Sequence, residues 1–359
     1  MMTSRERMAA ALDRQPTDRT PRHEHFWSET RDAWIAQGLS PDVDLAAFAR
    51  SDIRGLDGYD HTLRLPTETL EEADDYHVIR DANGATKKYW KNHSGVPEFT
   101  GEFAVQTRAQ WDEYKDRLLD ATDRADIEER VRASHVLRAG DFFVTWGVLG
   151  FWESARDILG PETLLLNVAA DPGWIREMIE HFETLFVTMY ERLCAAGVYF
   201  DGLFFYEDLG YRNAMFMSPR SYREIIWPSH CRIMQRLRGD GRHVIVHSCG
   251  RVLEAIEPLI EAGMSCLQPL EAKAGMDLAS LKRLYGDRLA FMGNVDVMVL
   301  RTNNREAIAR EVTGKLIAGS RGGGYVFHSD HSIPPEITLD TYRFCQELVD
   351  AFDDKRLGG

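Results

Sequence analysis

Short, continuous hydrophobic runs alternate with helical stretches through the second half of the chain. Six of these runs have the composition of buried strands: DFFVTWG, DGLFFYED, HVIVHSCG, SCLQPLE, LAFMGNVD and GGYVFHSDH. Strands that are apolar on both faces are typical of a parallel sheet covered by helices on both sides. PRHEHF near the N-terminus and a weaker candidate around SDIRGLDG bring the predicted strands to eight. The pattern therefore predicts an α/β protein with a TIM (β/α)₈ barrel.

The alternative to a barrel is an open, doubly wound parallel sheet. Sheets of that kind often carry a glycine-rich phosphate-binding turn after the first strand. No G-x-G-x-x-G follows the first predicted strand here, and no P-loop lysine motif occurs in the chain. The barrel is therefore the preferred prediction.

The first hundred residues follow a different pattern. TSRERMAAALDRQ and SETRDAWIAQGL each have the capping residues and periodicity of a helix. From about residue 60 to residue 105 polar and apolar positions alternate, and an Asn83-Gly84 turn predicts a β-hairpin. We expect residues 1–359 to form one domain, with residues 60–105 as a β excursion outside the barrel.

Composition narrows the functional classes. Hydrophobic residues make up 44% of the chain and charged residues 28%, which is typical of a soluble globular protein. A formal net charge of −14 argues against nucleic acid or an anionic membrane as a partner. The N-terminus lacks the apolar core of a signal peptide, and the five cysteines show no paired spacing. We therefore expect a cytoplasmic enzyme.

Polar residues follow five of the predicted strands, at the end where a TIM barrel carries its active site. These strand ends are Tyr206-Glu207-Asp208, His247-Ser248-Cys249, Gln268-Pro269-Leu270-Glu271, Gly293-Asn294-Val295-Asp296 and His328-Ser329-Asp330-His331. We predict catalytic roles for Glu207 and Asp208, and substrate contacts for His25, Tyr206, Gln268, Glu271 and Asn294. Structural roles are the alternative: an acidic residue after a strand often caps the next helix, Asn294 suits a turn, and His25 suits the core.

His247 and Cys249 are two positions apart at the end of one strand, so both side chains point to the same side. Imidazole nitrogen and thiolate sulfur are the ligands that zinc prefers. A third ligand has to come from another strand end, where His331 and His328 are the candidates, and Glu207 or Asp208 offers a fourth, oxygen ligand. Three protein ligands with one open position are typical of a catalytic zinc site.

The segment from DGLFFYED to VIVHSCG resembles the central part of the uroporphyrinogen decarboxylase superfamily, as do LYGDRLAFMGNVDV and TSRERMAAALDRQPTDRTP. The resemblance implies a TIM barrel. Decarboxylases of this superfamily carry an RQAGRY-like stretch after the first strand, which binds the substrate carboxylates. Here that stretch is HFWSETRDAW, with Arg31 alone. An acidic chain without an arginine cluster is poorly suited to a polycarboxylate substrate, and decarboxylation is kept as the second hypothesis.

The resemblance is closer to another branch, the zinc-dependent methyltransferases that work with corrinoid proteins. These carry H-x-C after one strand, matched here by His247 and Cys249, and a further cysteine after the last strand. His331 occupies that place, ahead of a similar IPP sequence. The resemblance therefore implies a zinc site with two histidines and one cysteine.

A single thiolate ligand leaves the zinc centre formally more positive than two would, and so a stronger Lewis acid toward oxygen. We therefore expect O-demethylation: transfer of a methyl group from a small methoxy or methanol-like donor to cob(I)alamin, with Glu207 either completing the zinc site or protonating the departing oxygen. No D-x-H-x-x-G cobalamin-binding sequence occurs, so the corrinoid (cobalamin) is expected on a separate partner protein. A methyl-corrinoid:thiol methyltransferase and a non-catalytic, ligand-binding barrel remain as alternatives.

Overall fold

The computed structural model describes residues 1–91, 95 and 97–357 of the chain. Its strands are β1 (Ile53–Leu56), β2 (Glu68–Glu72), β3 (Tyr76–Arg80), β4 (Thr86–Trp90), β5 (Glu98–Phe99), β6 (Phe143–Leu149), β7 (Gly202–Tyr206), β8 (His243–His247), β9 (Cys266–Gln268), β10 (Ala290–Met292) and β11 (Tyr325–Val326). Its α-helices are α1 (Ser4–Leu12), α2 (Ser28–Ala36), α3 (Leu45–Phe48), α4 (Arg108–Tyr114), α5 (Ile127–Ala139), α6 (Phe151–Ala170), α7 (Pro172–Ala195), α8 (Pro219–Ile225), α9 (Trp227–Gly239), α10 (Leu253–Ala262), α11 (Leu278–Tyr285), α12 (Val297–Leu300), α13 (Arg305–Ser320) and α14 (Leu339–Leu357). Short 3₁₀ helices span Lys115–Leu119 and Ala272–Ala274.

A parallel sheet forms the wall of the barrel, with the strand order β1-β6-β7-β8-β9-β10-β11 within the described residues. Each strand pairs with the one that follows it in the sheet, and helices run outside the strands along the second half of the chain. This is the βα order that the alternation of hydrophobic runs predicts. The predicted TIM-barrel fold is confirmed, and the weak strand candidate near the N-terminus is β1.

The eighth position of the barrel is filled by an extended segment, residues 21–27, which lies between β11 and β1. On one side the Phe327 amide donates to the Pro21 carbonyl at 2.8 Å. The His23 amide returns a hydrogen bond to the Phe327 carbonyl at 3.1 Å. On the other side the Asp52 amide donates to the Arg22 carbonyl at 2.8 Å. This closing segment is the predicted strand PRHEHF, present as a chain of backbone bridges.

The lower part of the barrel is filled by apolar side chains from its strands and is capped from below by α1. The buried cluster consists of Met8, Ala11, Leu12, Ile53, Phe143, Phe204, Ile245, Cys266, Ala290, Met292 and Val326. The first three of these residues come from α1, which begins with a capping box between Thr3 and Glu6. Because this end of the barrel is packed, the polar upper end is the open one.

The predicted β excursion is an antiparallel sheet in the order β2-β3-β4-β5, as far as the chain is described. β3 and β4 form the predicted hairpin around the Asn83-Gly84 turn. The excursion packs on α6 through Phe103, whose ring lies against Gly160. Gly160 has a φ of 74°, and a Cβ there would lie 2.4 Å from the Phe103 ring, so glycine is required at this kink in α6.

Asp52 connects the closing segment, β1 and α1 at the lower end of the barrel. Its buried carboxylate accepts hydrogen bonds from Arg7 at 2.7 Å, from Arg19 at 2.6 Å and from the backbone amide of Arg22 at 3.0 Å. Its backbone amide bonds to the closing segment as well.

Among the helices of the described chain, none is long and apolar enough to cross a membrane.

We expect Asp52→Ala to lower the free energy of unfolding by about 1.5–3 kcal/mol, because two arginines and a backbone amide lose a buried charged acceptor. Arg7 keeps its ion pair with Asp18 at 2.7 Å. The measurement is urea unfolding followed by circular dichroism. Glu257→Gln is the matched control, since it breaks the exposed Glu257–Arg288 pair, whose side chains are each 44% exposed. Glu257→Gln should lower the free energy of unfolding by less than about 1 kcal/mol. Equal losses in the two variants would contradict the role given to Asp52.

Candidate functional site

Three side chains from neighbouring strands lie in a row at the upper end of the barrel. Tyr206 is paired with His247, and His247 with Gln268, in the registers of β7, β8 and β9. The Tyr206 and His247 rings are 5.4 Å apart, and His247 Nδ1 lies 2.5 Å from Gln268 Oε1. Burial raises the pKa of Tyr206 to about 12. The row forms the inner wall of the candidate site because alternate residues of a strand face the same side.

Cys249, two residues beyond β8, lies at the centre of the site. Its Sγ is 3.4 Å from His247 Nε2. Asp208, beyond the end of β7, accepts the Cys249 backbone amide at 2.7 Å, and its carboxylate lies 3.5 Å from His247 Nε2. The potential ligand atoms of Asp208, His247 and Cys249 all lie within 4.8 Å of one another.

Glu271 and His331 approach the same thiol from the next strand ends. Their potential ligand atoms and the Cys249 Sγ also lie within 4.8 Å of one another. Glu271 accepts the Gly250 amide at 2.7 Å and lies 3.4 Å from Lys273 Nζ. His331 Nδ1 is buried and has no hydrogen-bond partner among the described residues. Cys249 therefore belongs to two groups of ligand-type side chains at once, and we call their union the Cys249 cluster: Asp208, His247, Cys249, Glu271 and His331.

The Cys249 cluster is electrostatically suited to a cation. Burial raises the pKa of the Cys249 thiol well above its ordinary value. The carboxylates of Asp208, Glu271 and Glu153 raise this pKa further. A thiol crowded by carboxylates loses its proton when a cation is bound beside it, since the cation stabilises the thiolate.

His328 lies apart from the Cys249 cluster and contacts His25. His25 Nδ1 is 3.1 Å from His328 Nε2, which also lies 3.5 Å from Gln268 Nε2. Burial lowers the pKa of His25 to about 4 and that of His328 well below its ordinary value. Of the two candidates for a third ligand, the structure thus brings His331 to Cys249 and His328 to the closing segment.

Glu207 does not face the barrel mouth, so the expectation that it does is corrected. Its fully buried carboxylate accepts the Trp152 amide at 3.1 Å and the Glu153 amide at 3.4 Å, at the N-terminus of α6. It also lies 2.9 Å from His230 Nε2. The carboxylate fills the space over Gly150, where a Cβ would lie 2.0 Å away. Because Tyr206 faces inward, strand alternation turns the next side chain outward.

The Asn294 side chain likewise forms hydrogen bonds with backbone groups and is not part of the site. Its side chain accepts the Leu278 amide at 3.1 Å and donates to the Leu270 carbonyl at 2.7 Å. Lys315 Nζ donates to the same side-chain oxygen at 2.7 Å. With a φ of 73° and no exposed surface, Asn294 has the structural role that suits a turn.

Glu153 is a site residue that the strand-end search misses, because it lies in the first turn of α6 and not at the end of a strand. Burial raises its pKa to about 9, and the charges of Asp208 and Glu207 add to this shift. Its Oε1 is buried without a hydrogen-bond partner in the described part of the chain, while Oε2 accepts from Arg156. The signal that could have found it is an acidic residue shortly after a predicted strand, in LGFWES.

The chain is similar in sequence to a known protein family and to several curated proteins. The family model described as "Uroporphyrinogen decarboxylase (URO-D)" matches residues 115–352. The uroporphyrinogen decarboxylase of Rickettsia rickettsii (strain Sheila Smith) is 28% identical over 89 residues, which are 24% of this chain and 25% of that protein. The uroporphyrinogen decarboxylase of Pseudomonas putida (strain GB-1) is 36% identical over 86 residues, which are 23% of this chain and 22% of that protein. The chain thus matches about a quarter of the length of these relatives.

A solved structure described as "methyltransferase from Methanosarcina mazei" superposes on nearly the whole chain. The TM-score is 0.69, and the alignment covers 98% of this chain and 99% of that one at 17% sequence identity. At this identity the likeness establishes the shared fold.

We expect Glu207→Gln to lower the free energy of unfolding by about 1.5–3 kcal/mol, because the charged acceptor of two amides and of His230 is lost. Thermal and urea unfolding measure the loss. Asp208→Asn is the matched control, since it is partly exposed and keeps an oxygen for the Cys249 amide. It should cost less than about 1 kcal/mol. A Glu207→Gln protein as stable as the wild type would contradict the structural role.

Proposed function

This chain belongs to the uroporphyrinogen decarboxylase family, and from that premise we propose that it is a zinc-dependent methyltransferase. In this proposal a methyl group passes from a small methoxy or methanol-like donor to the cob(I)alamin of a separate corrinoid protein. The observation that carries the proposal is the Cys249 cluster, in which two histidines and two carboxylates surround one thiol at the barrel mouth.

The residues of the Cys249 cluster suit zinc. The proposed ligands are His247, Cys249 and His331, with zinc–ligand distances of about 2.0–2.3 Å, so that neighbouring ligand atoms are about 3.4 Å apart. The 3.4 Å separation of Cys249 Sγ and His247 Nε2 matches this spacing. The buried, unpartnered Nδ1 of His331 is what a ligand without its ion would present.

Gln268 supports the same assignment from behind His247. Its Oε1 lies 2.5 Å from His247 Nδ1 and accepts a hydrogen bond from that nitrogen. The Nε2 lone pair is then free and directed toward Cys249 and Asp208. Metal-binding histidines are oriented in this way by a hydrogen bond at the other ring nitrogen. Gln268 is therefore proposed to position a ligand, while the sequence predicted a substrate contact for it.

Bound zinc would supply Lewis acidity to the oxygen atom that loses its methyl group. The three proposed ligands contribute one negative charge, that of the Cys249 thiolate, since histidine binds as the neutral ring. Asp208 and Glu271 are close enough to complete the site or to hold a donor hydroxyl. Tyr206 forms the apolar wall on the side of β7, where its ring packs on His247.

Glu153 replaces Glu207 as the proposed source of the proton. With its pKa raised to about 9 by burial, Glu153 holds its proton at neutral pH. When the carbon–oxygen bond of the donor breaks, its electron pair stays on oxygen, which takes the proton from Glu153. Cob(I)alamin on the partner protein would supply the electron pair for the new bond to the methyl group. In this proposal an ether or alcohol is demethylated and the reduced corrinoid becomes methylated.

Decarboxylation is the second candidate, because the proteins matched in sequence are named uroporphyrinogen decarboxylases. The composition of the mouth argues against it. Asp208 and Glu271 both raise the pKa of Cys249, so the site already holds two carboxylates near its centre. A substrate with many carboxylates would be repelled there.

The test compares Cys249→Ala with Cys231→Ala, a cysteine in α9 outside the cluster. Zinc per chain is counted by mass spectrometry after purification without chelator. Methyl transfer is followed by the absorbance of cob(I)alamin, with methanol and methoxybenzenes as donors. We expect Cys249→Ala to lose one equivalent of zinc and to show background transfer only, because its thiolate ligand is gone. Cys231→Ala should match the wild type.

Three results would contradict the proposal. Wild-type protein that consumes uroporphyrinogen in the presence of chelator, with Cys249→Ala unaffected, would indicate the decarboxylase. Demethylation of methylcob(III)alamin by a thiol, without transfer from methoxy donors, would indicate the thiol methyltransferase. An unchanged number of zinc ions per chain in Cys249→Ala would show that Cys249 is not a ligand and place the metal elsewhere.

A further inference from the structure

Three histidines meet inside the barrel, where the closing segment adjoins the end of β11. They are His23 and His25 of the closing segment and His328 beyond β11, and their potential ligand nitrogens lie within 4.8 Å of one another. The ring centroids of His23 and His25 are 4.6 Å apart, and that of His328 is 5.6 Å and 5.3 Å from them. We call this group the histidine triad. It shares no residue with the Cys249 cluster.

The hydrogen bonds of His23 fix which nitrogen carries its proton. His23 Nδ1 lies 2.8 Å from Ser51 Oγ. The Ser51 hydroxyl donates its proton to the Ile53 carbonyl at 2.9 Å, so toward His23 it acts as the acceptor. His23 Nδ1 therefore carries hydrogen, and in the neutral ring Nε2 is left with a free lone pair.

The same reasoning applies to His328. Its Nδ1 lies 2.5 Å from the Ser329 carbonyl oxygen, which accepts only, so Nδ1 is the protonated nitrogen. The Nε2 lone pair of His328 is then turned toward His25, 3.1 Å away. Both histidines thus bind an oxygen through Nδ1 and present Nε2 to the triad, the arrangement of metal-ligating histidines.

A buried carboxylate lies behind the triad. Glu24 Oε1 is 3.6 Å from His328 Nδ1 and accepts the Ser329 hydroxyl at 2.6 Å. The side chain of Glu24 is 3% exposed, and no lysine or arginine forms an ion pair with it within the described ranges. A cation bound at the triad would stabilise the ionised form of this buried side chain.

We propose that His23, His25 and His328 form a second metal site, which binds a divalent transition-metal ion through three imidazole nitrogens. Imidazole ligands suit zinc, iron, nickel and copper. In this structure His25 Nδ1 donates its hydrogen to His328 Nε2. Binding the ion through His25 Nδ1 requires the other tautomer of this ring, with its hydrogen on Nε2. His23 and His25 are only partly buried, so solvent has access to this group.

The two metal sites are adjacent but chemically distinct. Gln268 joins them, with Oε1 toward His247 Nδ1 at 2.5 Å and Nε2 toward His328 Nε2 at 3.5 Å. The Cys249 cluster offers sulfur, nitrogen and oxygen, whereas the triad offers nitrogen alone. The second site does not require methyl transfer, so it goes beyond the proposed function and can be tested without an activity assay.

The experiment is a cobalt(II) titration of chelator-treated protein, with bound metal counted by mass spectrometry. A thiolate-to-cobalt charge-transfer band reports the Cys249 cluster alone. We expect wild type to bind two equivalents. We expect Cys249→Ala to bind one equivalent without the charge-transfer band, and His25→Gln to bind one equivalent with it. His243→Gln is the matched control, because this histidine lies at the opposite end of β8 and should leave both equivalents.

The outcomes separate this inference from the proposed function. One equivalent in wild type and none in Cys249→Ala would overturn the second site. The second site would also be overturned if Cys249→Ala still bound one equivalent of cobalt after His25→Gln and His23→Gln had been added to it. Two equivalents with no charge-transfer band would overturn the zinc site at Cys249 and leave the triad standing. Circular dichroism shows whether His25→Gln is folded. If it is not, the test compares the bound cobalt of Cys249→Ala with that of the double variant Cys249→Ala/His23→Gln. We expect one equivalent in the first and none in the second.

Discussion

The barrel depends on the buried carboxylate of Asp52, which holds its lower end closed. This one group accepts hydrogen bonds from Arg7, Arg19 and the Arg22 backbone, and so ties α1, the turn after it and the closing segment to β1. The closing segment also forms backbone hydrogen bonds with its two neighbours, and the contacts to Asp52 add to these in holding its position. That position determines which of its side chains face inward. The position of His23 and His25 in the histidine triad therefore depends on this interaction at the lower end of the barrel.

Strand alternation determines most of the inner surface and could be predicted from the sequence. The hydrophobic runs predicted the barrel. The two-residue spacing of His247 and Cys249 predicted that both side chains point to the same side of the strand. The same rule would have turned Glu207 outward had the inward position of Tyr206 been known. A two-residue period cannot tell by itself which of its two faces is inside when the strand is apolar on both. That choice is made by packing against α6, above all by the space over Gly150.

The rest of the site depends on how loops from distant parts of the chain meet. The residue pattern alone left both His328 and His331 as candidates, because only two residues lie between them and no periodicity applies there. The preference for His331 came from the family resemblance. Glu153 was missed because it lies in the first turn of α6, and because its raised pKa arises from burial in the folded protein. The histidine triad needs a contact between residues about 300 positions apart, as the 303-residue separation of His25 and His328 illustrates. Such contacts follow from barrel closure and not from local pattern.

The packing of α1 across the lower end has a kinetic consequence. Met8, Ala11 and Leu12 occupy the axis of the barrel together with one layer of strand side chains, so ligands pass through the upper end. Under the proposed chemistry the methyl donor and the corrinoid protein share that entrance. The small donor has to enter first, because the larger partner covers the opening when it docks. The demethylated product then leaves only after the partner has dissociated, which makes the sequence of binding events compulsory and release of the corrinoid protein a step in every turnover.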